Sequence, residues 1–320
     1  MSNIANFDES HAKLKGFNDF YNDKIGPYLE SREAERKTKV IKGKKIGALI
    51  ALVGVVIGVV SFSSGGPRSI LGLFMPIVMG MGIGYAVLHN VANKDTGEIT
   101  KFVLQNICTF IGWEFFREGF EEPDLENWYY NCLLSSGYDR VTFEDQMSGN
   151  VNDADFSFCE CHMERKGKDR NGNTNWVTVF RGILLSVDFH REFLGRTVVL
   201  RDGKLWNAKK KSGMKRVGLV DPVFEKKFEA YSTDQVEARY LLTPVFMQTL
   251  VDLEESVSGK KIRFGFFDDK LHIAIEAPNQ FEIGSMLKTL IDVERTKKIL
   301  KEINAILNVI DSVSKTKKRR

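Results

Sequence analysis

The sequence predicts an α+β protein in which a two-helix transmembrane hairpin precedes a cytoplasmic domain with a mainly antiparallel sheet and flanking helices. Two uncharged apolar segments, 46–62 and 70–88, predict the hairpin. Alternating strand patterns joined by turn residues, with helical patterns after them, predict the domain. The chain therefore divides into an N-terminal segment at 1–45, a hairpin at 46–90 and a domain at 91–320 that ends in a basic tail.

The composition is typical of a protein from a reducing compartment. Among the 320 residues there are only four cysteines, and their irregular spacing is not that of a disulfide-stapled secreted domain. The first ten residues lack the charged and then apolar pattern of a cleaved signal peptide. The first apolar span is therefore expected to act as the targeting signal.

An apolar stripe predicts an amphipathic helix in the N-terminal segment, and Pro27 is expected to bend or end it. Two placements of this stripe are open. It lies on the membrane surface beside the basic residues, or it packs against the protein's own C-terminal domain. Acidic residues nearby favour packing. The stripe consists of Leu14, Phe17, Tyr21, Ile25 and Tyr28.

Each apolar segment is close to the ~17–25 residues that cross a hydrocarbon core. One lysine at the centre of such a helix costs ~2.5–3.5 kcal/mol, so two uncharged segments in a chain with 28% charged residues favour membrane insertion. The connection at 63–69 is short and rich in turn formers, so the two helices must run antiparallel. Neither span holds a charged residue, which argues against a channel or transporter.

Small residues recur four positions apart in both spans, at Gly54 and Gly58 and at Gly80 and Gly84. This spacing lets helix backbones approach closely in lipid. The glycines therefore either seal the hairpin or pair two copies of the chain, and a homo-oligomer is one expected partner arrangement. Pro76 is expected to kink the second span.

Basic residues before the first span predict the orientation. Six of them occur between Arg36 and Lys45 without an acidic residue, whereas the connection offers only Arg68. The positive-inside rule then places both termini in the cytoplasm of a multi-pass protein. Lys42, Lys44 and Lys45 are the candidates for contact with anionic lipid head groups.

The domain sequence alternates between strand and helix signals. Strands are predicted at 154–165, 176–189 and 195–201, and a hairpin at 262–267 and 271–275 turns at Asp268-Asp269. Helices are predicted at 124–135, at 234–256 with a break at Pro244, and from Asn279 towards the C-terminus. The final helix carries a narrow apolar stripe that consists of Leu300, Ile303, Leu307 and Ile310.

Several motifs follow one another in this domain: Phe180-Arg-Gly182, Asp188-Phe189, Gly195-Arg-Thr197-Val-Val199, Asp221-Pro222-x-Phe224-x-x-x-Phe228 and Tyr231-Ser-Thr-Asp234-Gln-Val-Glu237-Ala-Arg239-Tyr240-x-Leu242-Thr243-Pro244. Together with Phe17-Asn-Asp-Phe20-Tyr21 they resemble an uncharacterised bacterial family of membrane proteins, known only as a domain of unknown function. The resemblance implies a bacterial inner-membrane location and an α+β cytoplasmic domain. It implies no activity, cofactor or catalytic residue.

The cysteine-rich stretch Cys159-Glu-Cys161-His162 is the one metal-like pattern, because thiolates and imidazole suit zinc. In a strand, however, the two cysteines share one face and His162 points to the other, so structural cysteines, no metal and no cofactor are expected. The candidate catalytic groups are Asp188, His190 and Glu237. The candidate ligand or partner surface consists of Asp234, Glu237 and Arg239, which also form a helix cap and an ion pair.

Two functions are consistent with these features. The leading hypothesis is a non-enzymatic membrane-anchored module that binds a protein or a lipid surface through its cytoplasmic domain. The alternative is a membrane-proximal, hydrolase-like enzyme that uses the carboxylate and histidine groups of the domain. The expected partners are the lipid bilayer and anionic lipid head groups, and no nucleic acid.

Overall fold

The computed structural model describes residues 6–63, 70–168, 172–189, 192–201, 213–219 and 222–317. The chain forms two compact units. The first comprises residues 1–103 with 283–297, and the second comprises residues 104–282 with 298–320. The connection between the apolar spans, most of the Asn171-Gly172 turn, His190, the Asp202-Gly203 turn and the last residues of the basic tail fall outside the described residues.

The first unit is helical. The first unit begins with a 3₁₀ turn (Ala12–Leu14), α1 (Phe17–Phe20) and a π turn (Tyr21–Ile25). Three longer helices follow: α2 (Gly26–Ser63), α3 (Ile70–Asn93) and α4 (Thr96–Ile111). The last part of α4 belongs to the second unit. The prediction that Pro27 ends the helix is wrong: Pro27 lies in the first turn of α2, where its missing N–H is tolerated, and the helix continues to Ser63. A π turn lies directly before α2.

The N-terminal stripe is buried inside the protein. Leu14, Phe17, Tyr21 and Ile25 are at most 5% exposed. Tyr28 stacks on Phe102 with ring centroids 3.7 Å apart. The packing alternative is therefore correct, and this stripe does not lie on a lipid surface.

The two apolar spans meet at a seam of glycines. A Cβ atom added to Gly47 would lie 2.6 Å from the carbonyl oxygen of Gly84, and one added to Gly54 would lie 2.9 Å from the Cα atom of Gly80. Only hydrogen fits at these positions, so the glycines seal the hairpin. Leu52, Val56 and other apolar side chains on the outside of the hairpin are half exposed. Both helices are long and apolar enough, by length and composition, to cross a membrane.

A buried carboxylate fastens the segment 283–292 to α2. Glu33 is 5% exposed, and its Oε1 accepts a bond of 2.7 Å from Arg36. The N–H of Leu290 donates to Glu33 Oε2 at 2.9 Å, and Arg36 donates to the carbonyl of Met286 at 2.8 Å. The Arg36 bond lowers the pKa of Glu33 to about 2, so the carboxylate stays charged in this network.

The second unit is built on a sheet of nine antiparallel strands, as counted over the described residues, and the predicted α+β class is confirmed. The strand order is β1-β2-β3-β4-β9-β8-β5-β7-β6. The strands are β1 (Glu114–Phe116), β2 (Arg140–Val151), β3 (Ala154–Lys168), β4 (Thr174–Asp188), β5 (Thr197–Arg201), β6 (Lys215–Val217), β7 (Phe228–Ser232), β8 (Lys260–Phe267) and β9 (Lys270–Glu276).

β3 has the predicted alternation, and its side chains pack into cores on the two opposite faces of the sheet. Phe156 and Phe158 pack against Trp113 on one face of the sheet, with ring centroids 4.6 and 6.5 Å away. Cys159 and Cys161 belong to a core cluster on the other face, together with Trp128. That second face carries the grooves described below.

Within the described residues, the sheet is accompanied by four helices of at most 13 residues and one of 25 residues: α5 (Glu126–Tyr130), α6 (Pro222–Glu225), α7 (Gln235–Leu241), α8 (Pro244–Ser256) and α9 (Val293–Lys317). Asp234 caps α7 through the N–H groups of Val236 and Glu237, and Thr243 caps α8, as predicted for two helices broken at the proline. The stripe of α9 is buried, as expected. The β8–β9 turn is also confirmed, because Asp268 and Asp269 both have positive φ angles, as a tight two-residue hairpin requires.

Two helix predictions are wrong in their extent. The helix expected at 124–135 is limited to α5, since Cys132 has a φ of 58° and turns the chain back towards the sheet. The helix expected from Asn279 begins only at Val293. The side chain of Asn279 bonds to that of Glu282, and Phe281 has a φ of 49°, so this stretch is a folded loop.

Candidate functional site

The first candidate site is a groove of about 480 Å³ on the sheet face that carries Cys159. Its floor includes Ser157, Ser186 and His272 from three adjacent strands. Trp128 forms part of a wall. Four carboxylates and one lysine also line it: Glu121, Glu122, Asp124, Asp268 and Lys270.

Strand register brings the polar floor together. Ser186 of β4 lies opposite His272 of β9, and Ser157 of β3 lies opposite Ser186 on its other side. Side chains directly opposite each other in adjacent strands share one face of the sheet. As a result the Ser186 hydroxyl and His272 Nδ1 form a hydrogen bond of 2.9 Å.

The imidazole of His272 is enclosed by aromatic rings. It stacks on Phe267 with ring centroids 4.3 Å apart and meets the edge of Trp128 at 5.0 Å. Burial lowers the pKa of His272 to about 3, and the positive charge of Lys270 adds a smaller decrease. The backbone carbonyl of Phe267 has the opposite, smaller effect on this pKa. The Nε2 atom is buried and has no hydrogen-bond partner of good geometry among the described residues.

This environment makes the Ser186–His272 pair poorly suited to base catalysis. A drop in pKa from 6.5 to about 3 corresponds to about 5 kcal/mol against the protonated imidazole. A general base that works near neutral pH needs a pKa near 7. In the described part of the chain no carboxylate hydrogen bonds to His272 to support the imidazolium. The bond to His272 can instead fix the Ser186 hydroxyl at the floor of the groove.

The residues predicted as a catalytic or partner site have mostly structural positions. Glu237 is buried, and its Oε2 accepts a bond of 2.9 Å from the N–H of Gly195. Asp234 is partly exposed at the start of α7, and its own N–H donates to Ser232 Oγ at 3.0 Å. Arg239 is exposed in the last turn of the same helix. Asp188 ends β4, on the face shared with Ser186.

The cysteine-rich stretch has the arrangement predicted for a strand. Burial raises the pKa of the Cys159 thiol to about 12, and it also raises that of Cys161, so both stay protonated. His162 bonds to Thr178 at 3.1 Å. Within the described residues no group of three or more His, Cys, Asp or Glu side chains has the geometry of a metal site.

Sequence reasoning missed Ser186 and His272 because 86 positions separate them. The predicted hairpin at 262–267 and 271–275 contained His272, but the prediction did not assign this histidine to a face of the sheet. The pairing of β9 with β4 was not readable from the sequence, since it depends on the order of the whole sheet.

Family comparison agrees with the motifs. Residues 178–315 match the DUF3137 family. The family is described as a protein of unknown function. The DUF3137 match includes Ser186, His272 and the motif from Tyr231 to Pro244, and it confirms the resemblance predicted above. No curated protein has significant similarity to the chain.

A weak structural similarity extends beyond the DUF3137 region. The crystal structure of the mycobacterial trehalose monomycolate transport factor A, TtfA, aligns with 68% of this chain and 95% of its own. The sequence identity is 9% and the TM-score is 0.33.

Proposed function

We propose that this protein is a membrane-anchored module of the bacterial inner membrane whose cytoplasmic α+β domain binds a protein partner or a lipid surface. The apolar hairpin carries the proposal. Its helices meet at glycines and expose apolar side chains on the outside, and such an exterior is stable where lipid replaces water. The proposed division is an N-terminal segment at 1–45, a membrane hairpin at 46–90 and a domain at 91–320.

Exposed lysines support a cytoplasmic position for both termini. Lys42, Lys44 and Lys45 are exposed on α2 immediately before its apolar stretch. Each lysine near an anionic leaflet contributes about 1 kcal/mol of attraction. The connection between the spans contains one basic residue, Arg68, so the positive-inside rule favours the same orientation.

Reporter fusions to the C-terminus of the full chain test the anchor and its orientation. A green fluorescent protein fusion should fluoresce in the membrane fraction and resist alkaline carbonate extraction, whereas an alkaline phosphatase fusion should stay inactive. An active phosphatase would contradict the orientation. Release of the protein by carbonate would contradict the anchor.

The Ser186–His272 hydrogen bond is the observation that favours the enzyme alternative, now through different residues from Asp188, His190 and Glu237. The low pKa of His272 argues for binding instead, because a weak base activates a serine poorly. A fluorophosphonate probe separates the two functions. If the protein is a non-enzymatic module, the probe should label the wild type and the Ser186→Ala variant equally. Labelling that Ser186→Ala removes and Ser157→Ala retains would establish a nucleophilic serine and refute the non-enzymatic module.

A further inference from the structure

A second groove, of about 510 Å³, lies on the second unit, and its charge is opposite to that of the first groove. We infer that it binds an anion of the phosphate class, such as a phosphate ester or a phospholipid head group. Unlike the first groove, it has no carboxylate among the described residues that line it. The donors come from two walls, and they are Arg201, Lys261, Arg263, Ser135, Ser136 and Gly137.

The cationic wall is formed by the end of β5 and by a bulge in β8. Arg201 is the last residue of β5. The register of β8 against β9 shifts between Lys260 and Arg263, and Lys261 in this bulge has a φ of 54°. A lysine rarely adopts this left-handed conformation, and bulges commonly re-aim side chains at functional sites.

The cations of this wall pair with carboxylates that lie outside the groove lining. Lys261 and Arg263 share one carboxylate, Glu276, at 3.0 Å each. Arg201 pairs with Glu254. Among the described residues, neither carboxylate lines the groove.

The arginines on this wall are held in place by aromatic rings. The Arg201 guanidinium lies 4.4 Å from the centroid of the Phe228 ring, and that of Arg263 lies 5.7 Å from Phe180. The buried Nε of Arg263 has no hydrogen-bond partner within the described residues. Planar guanidinium groups fixed in this way match the oxygens of a phosphate.

The opposite wall adds neutral donors. Ser135, Ser136 and Gly137 are exposed, and their backbone N–H groups donate no hydrogen bond within the described part of the chain. Successive free N–H groups and hydroxyls beside cations form a common anion-binding arrangement. Leu134 and Leu200 complete the lining, so the groove also offers apolar surface for the body of an ester.

Lys261 and Lys260 provide a matched pair of variants. Both are exposed residues of β8, but only Lys261 lines the groove. The Lys261 side chain is 68% exposed, so Lys261→Gln should leave the fold intact. The full chain in detergent or nanodiscs is titrated with pyrophosphate, with glycerol phosphate, and with nanodiscs that contain phosphatidic acid or only phosphatidylcholine.

If the ligand is a soluble phosphate ester, the protein should bind the soluble anions. Lys261→Gln should then lower the affinity about fivefold, and Lys260→Gln should leave it unchanged. The same pattern with phosphatidic acid alone would support a lipid head group. The inference is overturned if none of these probes binds, or if the two glutamine variants weaken binding equally. Either result leaves the membrane anchor untouched, since the fusions test that separately.

Discussion

The glycine seam of the hairpin predicts a large effect for one added methyl group. In Gly84→Ala the new Cβ atom would lie 2.4 Å from the carbonyl oxygen of Gly47, about 1 Å closer than ordinary contact allows. Because the neighbour is backbone, α2 and α3 must separate, and overpacking of this kind costs about 1–3 kcal/mol. Gly82 lies on the same helix with nothing within 4 Å of its added Cβ. Gly82→Ala is therefore the matched control, and the gain in helix propensity is the same in both variants.

Energy transfer between two dyes measures this separation. One dye is attached through Leu52→Cys on α2 and the other through Val78→Cys on α3, both at exposed outer positions, in a chain with Cys132→Ser. In a titration with sodium dodecyl sulfate, Gly84→Ala should lose transfer at a lower detergent fraction than Gly82→Ala. Equal midpoints for the two variants would refute the close-packed seam.

Two further predictions follow from buried carboxylates. The pKa of Glu33 is lowered, so Glu33 should contribute about 2–3 kcal/mol to the free energy of unfolding above pH 4.5, and this contribution should be lost as the pH falls towards 2. Glu33→Gln should therefore lower the melting temperature at pH 7, and Glu35→Gln, at an exposed position, should not. The pKa of Glu160 is raised to about 9 by burial, so stability should fall as the pH rises from 4.5 to 9. Glu160→Gln keeps the acceptor for the N–H of Gln280 and should raise the melting temperature at pH 8. Glu164→Gln, which removes a carboxylate paired with Arg140, is the control and should not raise it. A melting temperature of Glu160→Gln below that of the wild type would contradict the burial argument.

The parts of the fold that sequence predicted are those set by local rules. The spans, the caps at Asp234 and Thr243, and the Asp268-Asp269 turn each depend on a few adjacent residues. β2 was missed although it is long, because its alternation is broken by a bulge at which Asp145 has a φ of 50°. That backbone conformation is rare outside glycine, and a pattern of period two does not anticipate it.

The candidate sites were harder to predict because they depend on distant pairing. Ser186 meets His272 only through the β4–β9 ladder, and Arg201 shares a groove with Lys261 through the β5–β8 ladder. The predicted residues were chosen for their chemical type within one short motif. Glu237, for example, has the right type, but it is buried and bonded to a backbone N–H.

The ionisable groups of the second unit indicate where charge recognition takes place. Burial keeps Glu160 protonated and His272 neutral, so neither carries charge at neutral pH. Burying a charge without a partner is costly, and the sheet avoids that cost by neutralising these side chains. The Lys261 side chain, by contrast, is 68% exposed, so a ligand can reach its ammonium group. An anionic ligand should therefore be selected at the second groove, because carboxylates line the first groove and its floor offers only uncharged hydrogen-bonding groups.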